Sequence, residues 1–176
     1  KTSVNKFIYL SSNGVYGNID SDDEIIREDH KLNPNSLYSV AKIASEMYCR
    51  KIQELFGIQF ISARIGSTYG PMEAPTHSRT NMSLLYRMIH HAVNHKRLSV
   101  MGKGSSRNWT HVYDIAGAIN ALLNSERLDH DLYNISFGKN YSILRILNII
   151  KEIMPDFRYE FTANASESTF DLTHME

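Results

Sequence analysis

Near the start of the chain, Phe7, Ile8, Tyr9 and Leu10 form an unbroken apolar and aromatic run. With no polar position alternating through it, such a run predicts a strand covered on both faces. Asn33-Pro34-Asn35-Ser36 then supplies a turn and a candidate N-cap. From Leu37 the period changes. Apolar side chains recur at Val40, Ala41, Ala44, Met47, Tyr48, Ile52 and Leu55, which is helical spacing, and Gly57 is placed to end the helix. "IQFISARIG" (58–66) predicts the next strand, "MSLLYRMIHHAVNH" (82–95) a helix and "LSVMG" (98–102) a short strand. "WTHVYD" leads into the helix "IAGAINALLNS" (115–125), with Asp114 as its expected N-cap. "LYNISF" (132–137) reads as a strand, "SILRILNIIKEIM" (142–154) as a helix stopped by Pro155, and "RYEFT" (158–162) as a last strand.

This alternation predicts an α/β fold whose mostly parallel sheet is joined by right-handed crossovers. No repeat, low-complexity tract or linker interrupts it. One element is missing. A doubly wound nucleotide-binding fold opens with a strand, a glycine-rich turn and a helix. The single G-x-G here is Gly102-Lys103-Gly104, and Arg107 stands where a third glycine would fall. If the chain serves a dinucleotide, the expectation is that the glycine-rich half lies elsewhere.

Composition narrows the classes. The 176 residues suit one domain, and 42% hydrophobic with 22% charged residues is ordinary for a soluble protein. Nineteen basic residues balance nineteen acidic ones, with no basic stripe interleaved with aromatics, so a nucleic-acid partner is not expected. The acidic run "DSDDE" (20–24) reads as a solvated loop. Cys49 is the single cysteine, inside a helical pattern, and reads as a structural thiol in a reducing cytoplasm. No signal peptide and no apolar run near 18 residues is present, so neither export nor a membrane partner is expected.

The chemistry centres on Tyr38 and Lys42. Four apart on a helix, they share a face, with Cβ atoms about 5–6 Å from each other. An ordinary phenol holds its proton too tightly for efficient transfer at neutral pH, and a fixed positive charge beside it favours the phenolate. The spacing alone is weak, since short motifs recur by chance. Ser11 and Ser12 follow the first strand, where open α/β sheets bind ligands. By themselves they read first as hydroxyls capping a turn, although Ser12 could also polarise a substrate oxygen. His90, His91 and His95 include a zinc-compatible spacing but lack an evident third ligand, and no metal is expected. His111 reads as a satisfied buried residue and Trp109 as core.

Five motifs in order lift the pair out of chance. "FIYLSSNGVYG", "YSVAK", "ARIGSTYGP", "GKGSSRNWTHVYDIAGAI", and "LYNIS" followed by "YSILRILNIIKEI" resemble successive signatures of the extended short-chain dehydrogenase/reductase family, the NAD-dependent nucleotide-sugar epimerases and dehydratases. "TFDLTHME" (169–176) is similar to a further segment of that family. The resemblance implies a Rossmann-like, doubly wound, mostly parallel sheet lacking its N-terminal glycine-rich half, with a small C-terminal substrate-binding α/β portion. Residues to about 70 would form the second half of the core with the catalytic motifs. The remainder, about 71–176, would be mainly substrate-binding with returning core elements.

The resemblance also implies roles. Tyr38 is the general acid/base, Lys42 supports it and binds the nicotinamide ribose, and Ser12 polarises the substrate oxygen. Ser11, Ile65 and Gly66 join Tyr38 and Lys42 at the cofactor. Ser12, Ser67, Asn81, Val100 and Arg107 fall on substrate positions, with Arg107 on a diphosphate, where a planar guanidinium grips phosphate oxygens in pairs. The implied cofactor is NAD, with NADP as the alternative, and the implied partners are a sugar or nucleotide sugar and a second copy of the chain. Ser67 and Asn108 depart from the family pattern. Asn13 and Gly14 stand where dehydratases carry an acidic pair, so elimination of water is disfavoured. The loop 72–83 is unusual and is expected to shape the substrate pocket. The implied function is an NAD(P)-dependent sugar or nucleotide-sugar epimerase or oxidoreductase working by hydride transfer, with this chain alone inactive. The competing reading is a truncated or non-catalytic binding or structural module.

Overall fold

The computed structural model describes residues 4–18, 25–77, 79–101 and 106–162. The acidic run at 20–24, the glycines at 102 and 104 and the segment 169–176 lie outside them. In chain order the elements are β1 (Lys6–Ser12), a single-turn 3-10 helix (Asn13–Tyr16), α1 (Leu37–Phe56), β2 (Gln59–Ile65), β3 (Ser67–Tyr69), α2 (Leu84–Val93), β4 (Leu98–Met101), β5 (Ser106–Arg107), β6 (Trp109–His111), α3 (Val112–Asn124), β7 (Leu132–Ile135), β8 (Tyr141–Ser142), α4 (Ile143–Ile153) and β9 (Tyr159–Thr162). They divide into two compact units, one from Lys1–Thr68 with Trp109–Gly138, the other from Tyr69–Asn108 with Lys139–Met175.

The first unit is built on the parallel sheet β1-β2-β7. Side chains alternate across it with a period of two. Ile61 and Ala63 of β2 join Ile135, Ile115 and Leu122 in a buried cluster that Ile8 and Ile65 flank, so this face is covered by α3. Ser62 and Arg64 point to the other face, which α1 covers. Helices on both faces of a parallel sheet are the doubly wound arrangement that the family resemblance implies, built from the mostly parallel α/β sheet that the alternation predicts.

Local chemistry sets the helix ends. Ser36 accepts from the Ser39 amide at 3.1 Å, while the Ser39 hydroxyl accepts from the Ser36 amide at 3.2 Å, a reciprocal cap that starts α1. Gly57, left-handed at φ 69°, ends it. α3 starts three residues earlier than expected: its N-cap is His111, whose Nδ1 accepts from the Tyr113 amide, and Asp114 lies in the first turn. β6 runs straight into this helix, so the cap falls on a strand residue. Asp114 instead faces the partial positive charge of the helix start.

β1 also departs from expectation. Phe7 and Leu10 are 47% and 44% exposed, because among the described residues β1 pairs only with β2 and forms the edge of its sheet. In the second unit β4 pairs with β9 in parallel and β5 with β8 antiparallel, and α2 packs against α4 and β4. Leu98, Ile143, Leu147 and Phe157 are among its buried side chains. Trp109, in the first unit, is buried as expected of core.

Candidate active site

The cap at Ser36 puts Tyr38 in the first turn of α1 and Lys42 one turn further. Lys42 Nζ leaves the helix to donate to the Leu10 carbonyl of β1 at 2.8 Å. It stands over two phenol rings, 5.1 Å from the centroid of Tyr9 and 5.4 Å from that of Tyr38. Tyr38 itself is exposed, 44% of its surface open to solvent.

Ser12 closes β1 directly beside Ile65 of β2, which in turn sits beside Ile135 of β7. The Ser12 Oγ accepts from the Gly14 amide at 3.1 Å and so caps the 3-10 turn, leaving its own proton to donate. Gly66 follows, its amide donating to the Ile135 carbonyl at 3.0 Å, and half-buried Ser67 opens β3. Ser12, Lys42, Ile65, Gly66 and Ser67 thus collect at the C-terminal ends of parallel strands, with Tyr38 beside Lys42.

Ser11 goes elsewhere. The pleat turns it to the α1 face, where it is buried and its hydroxyl donates to Glu46 Oε1. That hydroxyl is committed inside the protein rather than presented to a cofactor. The other expected residues belong to the second unit. Asn81 is exposed ahead of α2, Arg107 is half-buried in β5 opposite Tyr141, and Val100 is 1% exposed, its side chain packed in the core instead of lining a surface. In the same unit the loop 72–83 is closed by Glu73, whose carboxylate accepts from the Ser83 amide at 2.9 Å, the Ser83 hydroxyl at 2.8 Å and Arg79 at 3.2 Å.

A buried cluster beneath α1 carries roles that the motifs did not suggest. Arg64 Nε and Nη2 donate to the two oxygens of Glu46 at 3.0 and 2.7 Å. Its Nη1 donates to the Tyr16 hydroxyl at 2.8 Å and to the Glu28 carbonyl at 3.2 Å. The Tyr16 hydroxyl donates to Asn134 Oδ1 at 2.7 Å. Burial pulls the Arg64 guanidinium down, but the bonds to Glu46 and Tyr16 outweigh it and hold the group above its usual range. A signal was present: an arginine inside the apolar strand "FISARI" needs a buried counter-charge. Cys49, on the same helix, has its thiol pushed up by burial and by the neighbouring Glu46.

Residues 1–136 match the model of the NAD dependent epimerase/dehydratase family. The chain belongs to that family. Among curated relatives of the family it is 28% identical over 152 residues to an uncharacterized UDP-glucose epimerase of Bacillus subtilis, covering 86% of this chain and 45% of the relative. Its fold superposes with a TM-score of 0.77, at 26% identity, on UDP-glucuronic acid 4-epimerase from Bacillus cereus in complex with UDP-glucuronic acid and NAD, covering 91% of this chain and 49% of that one. A TM-score of 0.80 relates it to UDP-N-acetylglucosamine 4-epimerase from Methanobrevibacter ruminantium M1, at 23% identity, over 92% of this chain and 51% of the other. That last likeness speaks to the fold alone. The chain spans about half the length of these relatives. No described helix is long and apolar enough to cross a membrane, and no described group of three His, Cys, Asp or Glu residues could hold a metal ion.

Proposed function

We propose that this chain carries the proton-transfer centre of a sugar or nucleotide-sugar epimerase or oxidoreductase that uses NAD, or NADP. The observation behind this reading is Lys42, anchored to Leu10 at the end of β1 and standing over a solvent-open Tyr38. An anchored ammonium, an exposed phenol and a serine proton at the end of the same strand suit the nicotinamide end of NAD and a sugar carbinol. They offer nothing for the pyrophosphate, which needs a glycine-rich helix start.

When bound, NAD accepts a hydride from the sugar carbon and can return one. The chain's own residues handle the proton. Tyr38 takes the carbinol proton as the carbon–hydrogen bond gives up its hydride, and gives it back on reduction. Lys42 stabilises the phenolate while the proton is away. Ser12 donates to the substrate oxygen, favouring the carbonyl that forms. Arg107 supplies a guanidinium for a diphosphate, with Asn81, the backbone at Val100 and Ser67 toward the substrate and Ile65 and Gly66 toward the nicotinamide. The working protein is a cytoplasmic homodimer.

The competing reading is a binding or structural module without turnover. The test is Tyr38→Phe in a polypeptide that also carries the glycine-rich half of the fold, supplied with NAD and UDP-sugars. Turnover is expected to fall by about 10²- to 10⁴-fold with NAD binding retained. Equal turnover, or none in either protein, supports the module.

A further inference from the structure

Glu46 lies four residues beyond Lys42 on α1, so both side chains occupy one helix face and the carboxylate is a natural partner for the ammonium. They do not pair. Both Glu46 oxygens are taken by Arg64, at 3.0 and 2.7 Å, and Ser11 donates to one of them as well. Lys42 reaches the Leu10 carbonyl instead.

The arrangement depends on the shape of the guanidinium. Its planar fork engages two carboxylate oxygens in parallel, which a single ammonium cannot do. Arg64 is also held from behind, where Nη1 meets the Tyr16 hydroxyl and the Glu28 carbonyl. The Arg64 and Glu46 side chains are only 4% and 10% exposed. A buried carboxylate stripped of its cation seeks another. Two cations stand one turn from it on its own helix face: Arg50, which faces Asp131 at 3.7 Å, and Lys42, on a flexible stem.

We propose that Arg64 is a positioning residue: by occupying Glu46 it keeps that carboxylate from capturing Lys42, and so leaves the ammonium over Tyr38. Its functional meaning rests on the reading of Tyr38 and Lys42 as the proton-transfer pair, but the placement itself can be measured without turnover.

The experiment is nuclear magnetic resonance on the chain with labelled lysine and tyrosine, reading cross-peaks between the Lys42 ε-methylene and the Tyr38 ring. They are expected in the wild type, lost in Arg64→Met, and regained in Arg64→Met combined with Glu46→Gln, where the competing charge is gone. Absence from the wild type, persistence in Arg64→Met, or loss in both variants overturns the proposal. If Arg64→Met does not fold, Arg64→Lys keeps the charge without the fork. Its cross-peaks should weaken and recover with Glu46→Gln, and unchanged cross-peaks overturn the proposal equally. A Tyr38→Phe protein with full turnover would remove the catalytic reading and leave this result standing.

Discussion

Lys42 ties α1 to β1: its Nζ donates to the Leu10 carbonyl at 2.8 Å while remaining 5.4 Å from the Tyr38 ring centroid. One contact therefore fixes where the ammonium stands relative to both the strand end and the phenol. Lys42→Met keeps the stem and removes the charge. In a polypeptide that carries the glycine-rich half as well, turnover should fall by about 10²- to 10⁴-fold. The lost bond is exposed, so stability should drop by only about 1 kcal/mol. Steady-state kinetics beside urea denaturation checks both, and an unfolded variant would mean the tie is structural first.

Gly17 ends the motif "SSNGVYG" for a steric reason. Its φ is 68° with ψ −147°, and a Cβ there would stand 1.8 Å from the Asn33 carbonyl oxygen. The Asn33 amide donates to the Val15 carbonyl at 3.1 Å, so the segment feeding Ser36 and α1 rests on this turn. Backbone in that region costs a non-glycine residue about 1–3 kcal/mol before any clash is counted. Gly17→Ala should therefore destabilise the protein by at least about 2 kcal/mol in urea denaturation. A change within experimental error would show that the turn can move away from Asn33.

Much of this was legible because the signals are local. The 3.6-residue period from Leu37, the Ser36 cap and the Gly57 stop delimit α1 within its own sequence, and Tyr38 and Lys42 come with it. What was not legible depends on partners distant in sequence. Phe7 to Leu10 read as doubly covered, but coverage depends on neighbouring strands, and β1 has one among the described residues. Asp114 has the chemistry of a cap, yet His111 takes that place because β6 meets α3 without a loop. β5 and β8 are two residues each, too short to leave a period. Ser11 and Ser12 are adjacent and alike, and only the pleat separates a hydroxyl bound to Glu46 from one at the strand end.

Cys49 makes a prediction about pH. Burial and the nearby Glu46 raise its thiol above the ordinary value of 9.0. The folded state thus prefers the protonated thiol more than the unfolded chain does. That contribution is complete below the ordinary thiol range and is lost as pH rises through the raised value. Cys49→Ala should flatten the fall in stability above pH 9.0, measured by denaturation at a series of alkaline pH values, and leave the neutral-pH slope unchanged. The same protonation should keep Cys49 slow toward disulfide reagents until the protein unfolds.

The outer face of α1 carries the homodimer reading. Leu37, Val40, Ala44, Met47, Tyr48 and Leu55 fall on one side of the helix, opposite Lys42, Glu46 and Cys49, by the 3.6-residue period. Met47 and Tyr48 are each 68% exposed, and a row of large apolar side chains on a soluble helix marks an interaction surface. A second α1 related by two-fold symmetry would present the same row to it, as an isologous contact requires. Combining Met47→Glu with Tyr48→Glu places like charges across that contact while touching nothing buried beneath the helix. Sedimentation should show the wild type as a dimer and the variant as a monomer, with unchanged circular dichroism. A wild-type monomer at high concentration would remove the dimer reading, and a variant that remains dimeric would move the interface off α1.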